Sequence, residues 1–139
     1  MKSLYKECIS LAKKSAKNGD IPVGAVIIKD GIIIGKGYNT REKENNILGH
    51  AEINAIMQAT KKMNNWNLSD SDMYVTLKPC SMCMEIIKQS RIKNVYYLLD
   101  KPCNKKEFFK TKFKNLDENG YNGEYLEILQ SFFKKLREK

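Results

Sequence analysis

Apolar residues recur at helical spacing through the first part of the chain, at Leu4, Cys8, Leu11, Ala12 and Ala16, with lysines on the opposite face. This predicts a helix from Leu4 to Asn18, stopped by Gly19. The period then changes: Ile21 to Lys29 is β-branched and apolar on both faces, Asp30-Gly31 turns the chain, and Ile32 to Tyr38 returns it as the second arm of a hairpin. Asn39 to Gly49 is polar and charged, which predicts a loop beside the scaffold, where binding residues concentrate. Helical spacing resumes from His50 to Met63, with Ile53, Ala55, Ile56, Met57 and Ala59 supplying apolar faces. Asn64-Asn65 closes that helix, and Trp66 and Leu68 are expected to pack over its end. Met73 to Leu77 reads as a short strand leading to Pro79, after which Met82, Met84, Ile86 and Ile87 are expected in the core. Asn94 to Leu99 is another apolar strand. Beyond Asp100 the pattern weakens: Thr111 to Leu116 is expected as a short final strand, and Tyr125 to Lys139 as a helix carrying Leu126, Leu129, Phe132, Phe133 and Leu136.

This order of elements implies an α/β chain, one mixed sheet with helices on its faces, and crossovers that make the later strands parallel. With 139 residues, 42% of them hydrophobic, and neither repeats nor a linker, residues 1–139 are expected to form one domain with a real core. The start, Met1-Lys2-Ser3-Leu4-Tyr5-Lys6-Glu7, lacks the apolar run of a signal peptide, and no stretch reaches membrane-spanning length. Four cysteines, two of them in the motif described next, leave Cys8 and Cys103 as free thiols, a cytosolic usage that predicts a cytoplasmic protein without a membrane partner. Lys plus Arg number 25 against 16 Asp plus Glu, a net charge of +9. That balance suits a polyanionic partner, because each phosphate contact releases counterions. A generally basic proteome would give the same number.

The chemistry concentrates in two segments, His50-Ala51-Glu52 and Pro79-Cys80-Ser81-Met82-Cys83, which hold the single His and the single Cys-x-x-Cys of the chain. A neutral imidazole and two thiolates are three ligands, and a catalytic zinc typically keeps three protein ligands and a water. Glu52 is then the spare acid able to move protons about that water. The geometry works only if both segments begin helices. Deep inside one helix, two residues of separation mean about 200° of rotation, so His50 and Glu52 would face apart. At a helix start the first residue is not yet helical, and both side chains can turn to one point. Cys80 and Cys83, three apart, share a face, and Pro79 suits a helix entry. The two helix N-termini would favour thiolate at the metal. A Cys-x-x-Cys pair could instead be a redox motif or half of a structural zinc site.

The co-occurrence of His-x-Glu with Pro-Cys-x-x-Cys is the signature of zinc nucleobase deaminases. Together with Ile21-Pro22-Val23-Gly24-Ala25, Gly37-Tyr38-Asn39 and Tyr74-Val75-Thr76-Leu77-Lys78 in the same order, it resembles the bacterial tRNA adenosine deaminase family, from about Leu4 to Asp100. The resemblance implies a cytidine-deaminase-like three-layer α/β/α sandwich with a sheet of about five strands, a homodimer, and conversion of the wobble adenosine of a tRNA anticodon to inosine. It implies Zn2+ on His50, Cys80 and Cys83, with Glu52 as proton shuttle. Ile21, Asn39 and Leu77 fall where the family lines its nucleoside pocket, and Asp100 where it has an acidic residue beside the substrate. The tail Ser131-Phe132-Phe133-Lys134-Lys135-Leu136-Arg137 is similar to the family's C-terminal helix, which touches RNA.

Three departures stand out. Lys78 replaces the usual Glu before Pro-Cys, Gly49 precedes the His, and Lys101-Pro102-Cys103-Asn104-Lys105-Lys106 replaces a Gly-rich segment after Asp100. Lys78 is either a solvated residue beside the site or a contact to RNA phosphate, and Asn39 is either a pocket side chain or an ordinary turn residue. Two other functions remain open. One is deamination of a free base, nucleoside or nucleotide, which shares the zinc site and needs no basic tail. The other is a non-catalytic zinc-stabilised RNA-binding module, which needs a fourth protein ligand, with Cys103 as its candidate.

Overall fold

The computed structural model describes residues 2–100, 111–115 and 121–138. The chain divides into two compact units, Met1–Cys103 and Asn104–Lys139. In the first, helix α1 (Lys2–Lys17) ends at Gly19, whose φ of 77° is the left-handed stop that glycine takes without strain. Strands β1 (Gly24–Lys29) and β2 (Ile32–Tyr38) form the expected antiparallel hairpin about Asp30-Gly31. A single helical turn, α2 (Arg41–Glu44), interrupts the predicted loop. Helix α3 (Ala51–Met63), strand β3 (Asp72–Leu77), helix α4 (Ser81–Gln89) and strand β4 (Asn94–Leu99) follow.

The sheet order is β2-β1-β3-β4, with β1 antiparallel to both neighbours and β3 parallel to β4, as the crossover through α4 requires. Alternation along β1 and β3 builds a core on each face. Val26 and Tyr74 pack with Cys8 and Leu11 of α1, whereas Ala25, Ile27, Met73 and Val75 pack with Ala51, Ala55 and Ile56 of α3 and Ile87 of α4. The unit is therefore three layers, α/β/α. Close approach of the helices depends on glycine. A Cβ at Gly24 would strike the Cys8 carbonyl of α1, and one at Gly37 would strike the Ala51 carbonyl of α3.

Four strands lie among the described residues, the expected fifth being Thr111–Leu116. Residues 111–115 have no regular structure, Phe113 is 91% exposed, and Leu116 lies outside the described residues. Several expected core positions face outward instead. Met57 is exposed because Ala55, Ile56 and Ala59 already fill the buried arc of α3. Leu68 is buried over the helix end as expected, but Trp66 is exposed, with the Arg91 guanidinium 5.7 Å from its ring centroid. Of the α4 set only Ile87 is fully buried, with Met82, Met84 and Ile86 half-buried. The second unit contributes helix α5 (Tyr121–Arg137), which begins before the expected Tyr125 and whose apolar residues Leu126, Phe132, Phe133 and Leu136 are exposed. No helix among the described residues is long and apolar enough to cross a membrane.

Candidate active site

Both motif segments do open helices, and each first ligand is the residue just outside its helix. His50 is the N-cap of α3 with φ −96° and ψ 143°, and Cys80 is the N-cap of α4 with φ −69° and ψ 170°. These extended dihedrals free His50 from the helical rotation that would have turned it away from Glu52. Neither side chain caps its own helix, so both are available to the site. The His50 Nδ1 lies 3.5 Å from the Cys83 Sγ and 3.9 Å from the Cys80 Sγ, and all three ligand atoms fall within 4.8 Å of one another. Tetrahedral zinc with bonds of about 2.3 Å to sulfur and about 2.0 Å to nitrogen would hold such atoms about 3.6 Å apart. The donor set and its spacing therefore fit zinc. They are the one such group among the described residues; Cys103, the candidate fourth ligand, lies outside them.

Burial pushes the Cys83 thiol well above its ordinary range, and the Glu52 carboxylate and the Cys80 sulfur push it the same way. A bound dication reverses that balance, since a coordinating thiol is deprotonated.

Glu52, 4% exposed, lines a cleft of about 60 Å³ together with His50 and Cys80. Ile21, Val23 and Leu77 supply its apolar walls, and Asn39 and Lys78 its other polar groups. Ligand sites usually reach roughly 300 Å³ or more, so this cleft alone is too small for a purine nucleoside. An adjoining hollow of about 320 Å³ shares Ile21, Asn39 and His50 and continues past Gly49 to Arg41, which supplies the missing room.

Both faces of the Asn39 amide are engaged within the protein. Its Nδ2 donates to the Ile21 carbonyl (3.0 Å), and its Oδ1 accepts from the Ala51 N–H (2.8 Å), the first residue of α3. Asn39 thus satisfies a helix N–H that the His50 side chain leaves uncapped, while still lining the cleft. Asn54, one turn into α3, donates to the Tyr38 carbonyl (2.9 Å) and to Thr40 Oγ1 (3.1 Å), and the Thr40 N–H donates to the Gly49 carbonyl (2.8 Å). The loop before His50 is therefore closed at both ends. Gly49 is required there, because a Cβ would stand 2.6 Å from the Arg41 nitrogen. Sequence reasoning missed Val23, Thr40 and Asn54. Nothing in the local pattern marks them, although the unusual Gly49 was a visible sign of a tight contact.

Asp100 is not among the residues lining the cleft. It reaches the site through Lys78, whose Nζ lies 3.8 Å from its Oδ2. In the second unit, α5 carries Phe132, Phe133, Lys134, Lys135 and Arg137, with the two rings edge to face at 5.6 Å.

Residues 1–137 match the MafB19-like deaminase family. A tRNA-specific adenosine deaminase of Rickettsia bellii is 38% identical over 96% of this chain and 99% of its own length. A tRNA-specific adenosine deaminase of Streptococcus pyogenes is 45% identical over 66% of this chain and 58% of its own, so the chain matches little more than half of that relative. Among solved structures, a protein studied for A-to-I editing by tRNA:A34 deaminases at the wobble position of transfer RNA superposes with a TM-score of 0.72 at 31% identity, covering 74% of this chain and 75% of that one. A guanine deaminase from Bacillus subtilis superposes with a TM-score of 0.78 at 26% identity, covering 93% of both.

Proposed function

Because the chain belongs to the MafB19-like deaminase family, we propose that it is a zinc-dependent hydrolytic deaminase that converts the wobble adenosine of a tRNA anticodon to inosine. The observation that carries this reading is the end-to-end likeness to a tRNA-specific adenosine deaminase, 96% of this chain against 99% of that one. The convergence of His50, Cys80 and Cys83 beside a buried Glu52 supplies the chemistry it needs. In this reading residues 1–139 act as one functional domain of a cytoplasmic homodimer.

When bound, zinc acts as a Lewis acid that brings the pKa of water to about 7, making hydroxide available at neutral pH. The rest falls to the side chains. Ile21, Val23 and Leu77 hold the purine face and keep bulk water out. Asn39 hydrogen-bonds the base or sugar with whatever capacity its two internal bonds leave. Glu52 takes the proton of the attacking water, delivers it to the ring nitrogen beside C6, and carries a proton to the departing amine. Water and adenosine become inosine and ammonia. An anticodon base is already unpaired, so presenting it costs little compared with flipping one from a duplex. Phe132, Phe133, Lys134, Lys135 and Arg137 of α5 and Lys78 at the cleft would hold the RNA by stacking and charge.

A second reading is deamination of a free purine base, favoured by the superposition on guanine deaminase over 93% of both chains. One assay separates the two: incubation with an anticodon stem-loop bearing adenosine at the wobble position, and in parallel with adenosine and guanine. Inosine in the stem-loop supports the first reading. Turnover of guanine with an unchanged stem-loop replaces it with the second.

A further inference from the structure

We propose that Lys78 determines specificity by binding a backbone phosphate next to the reacting nucleoside, so that the site selects a nucleotide within an RNA strand over a free base or nucleoside. This rests on the RNA reading above. Lys78 is the one lysine or arginine among the residues lining the cleft that holds Glu52, His50 and Cys80. Its backbone is fixed, because its N–H donates to the Leu99 carbonyl at 2.8 Å and extends the β3–β4 pairing by one residue. Its side chain is 39% exposed and leans on two partners. The Asp100 carboxylate stands 3.8 Å from Nζ, and the Tyr97 ring centroid lies 5.9 Å away.

Three features suit a phosphodiester. First, the ion pair with Asp100 is exposed and long, and pairs of that kind contribute little to stability. A phosphate oxygen can therefore replace the carboxylate at small cost, while the Tyr97 ring keeps the ammonium in place. Second, Lys78 lines both the cleft and a hollow of about 280 Å³ that Met84, Val95, Tyr97, Lys88 and Lys93 also line. A charge shared by two openings suits an internal linkage, from which the strand continues in both directions. Third, a neutral purine offers an ammonium only uncharged acceptors, whereas a phosphodiester offers a full negative charge, so the same lysine adds less for a free base than for a nucleotide in a strand.

The test uses anticodon stem-loops in which one linkage, immediately 5′ or 3′ of the target adenosine, is a neutral methylphosphonate. The zinc-loaded protein, Lys78→Gln and Lys78→Arg are compared for binding and for inosine formation, with zinc content measured in each. Loss of one charge-assisted contact is expected to raise the wild-type KM by about tenfold at one of the two linkages. Lys78→Gln should show that same rise on the unmodified stem-loop, be indifferent to neutralising that linkage, and lose about 0.7 to 0.9 from the slope of log affinity against log salt. Lys78→Arg should keep the discrimination. If Lys78→Gln still loses as much as wild type at both linkages, Lys78 touches neither phosphate and the proposal is overturned. Binding and turnover fail separately. A wild-type protein that binds stem-loops but forms no inosine overturns the function while the linkage effect still decides Lys78. One that does neither overturns both.

Discussion

At the scale of single residues, Glu52 combines a carboxylate, 4% exposure and a place in the cleft beside His50 and Cys80, an arrangement costly to maintain unless the group has work to do. Glu52→Gln keeps the shape and removes the proposed proton carrier. Its kcat should fall by roughly 10²- to 10⁴-fold while one zinc per chain remains by elemental analysis; full activity would remove Glu52 from the mechanism. Asn39 presents a different case, since both ends of its amide serve the scaffold. Asn39→Ala should therefore lose about 1 to 3 kcal/mol of stability as well as turnover, whereas a pure substrate contact would leave the denaturation midpoint unmoved. Cys8, fully buried with its thiol donating to the Tyr74 carbonyl at 3.3 Å, has its pKa raised from 9.0 to about 11, chiefly by burial. The folded state thus holds this proton more tightly than the unfolded chain does. The contribution is complete below about pH 9 and is lost as pH rises through 11, roughly 2 to 3 kcal/mol over that window. Urea midpoints for Cys8→Ala should start lower and fall less steeply than wild type across the same range.

At the scale of elements, the site depends on how closely α3 lies on β2. Gly37 leaves no room for a Cβ beneath Ala51, the residue between His50 and Glu52. Gly37→Ala should cost about 1 to 3 kcal/mol by overpacking, seen in denaturant midpoints. It should also weaken zinc in a chelator competition, because the strain falls on the first turn of the helix that carries His50. Gly49 works at the same junction from the other side, against Arg41. Helices α1, α3 and α4 and the hairpin were legible in the sequence because one face of each is buried, and burial writes a period into the chain; α2, with no buried residue, was not. β4 was legible as a strand but not as an exposed one: Tyr96, Tyr97, Leu98 and Leu99 are all exposed. Apolar character records what a residue could bury, whereas neighbours decide what it does bury. Of the strand expected over Thr111 to Leu116, the described residues 111–115 have no regular structure: alternation shows that a segment could pair, not that it does.

At the scale of the whole molecule, the net charge of +9 becomes informative once attached to particular side chains. Lys134 and Lys135 sit on α5 beside two exposed rings, a pairing of cation and stacking surface suited to single-stranded RNA. Replacing both with Glu should weaken stem-loop binding and reduce the salt slope by about 1.4 to 1.8, two phosphate contacts' worth, measured by titration at several ionic strengths. Zinc held by His50, Cys80 and Cys83 would join α3 and α4, so in the proposed reading a chelator should lower the thermal midpoint and readdition of zinc should restore it. A midpoint indifferent to chelation would mean that the three ligands hold no structural metal.

The amino-acid sequence by itself singled out His50, Cys80 and Cys83 as the candidate ligand set and Glu52 as the candidate proton carrier. Metal chemistry restricts which side chains can serve, and the helix-start signals about His50 and Cys80 predict how two short segments can aim at one point. It also determined the layers, through the two hydrophobic periods. Only the tertiary structure decided how these parts are held. That Asn39 bonds the first N–H of α3, that Asn54 and Thr40 close the loop before His50, and that Lys78 stands between the cleft and Asp100 all depend on segments far apart in the chain coming within hydrogen-bonding or ion-pairing distance. Local pattern carries no record of such meetings, because they are set by the packing of elements and not by the residues on either side.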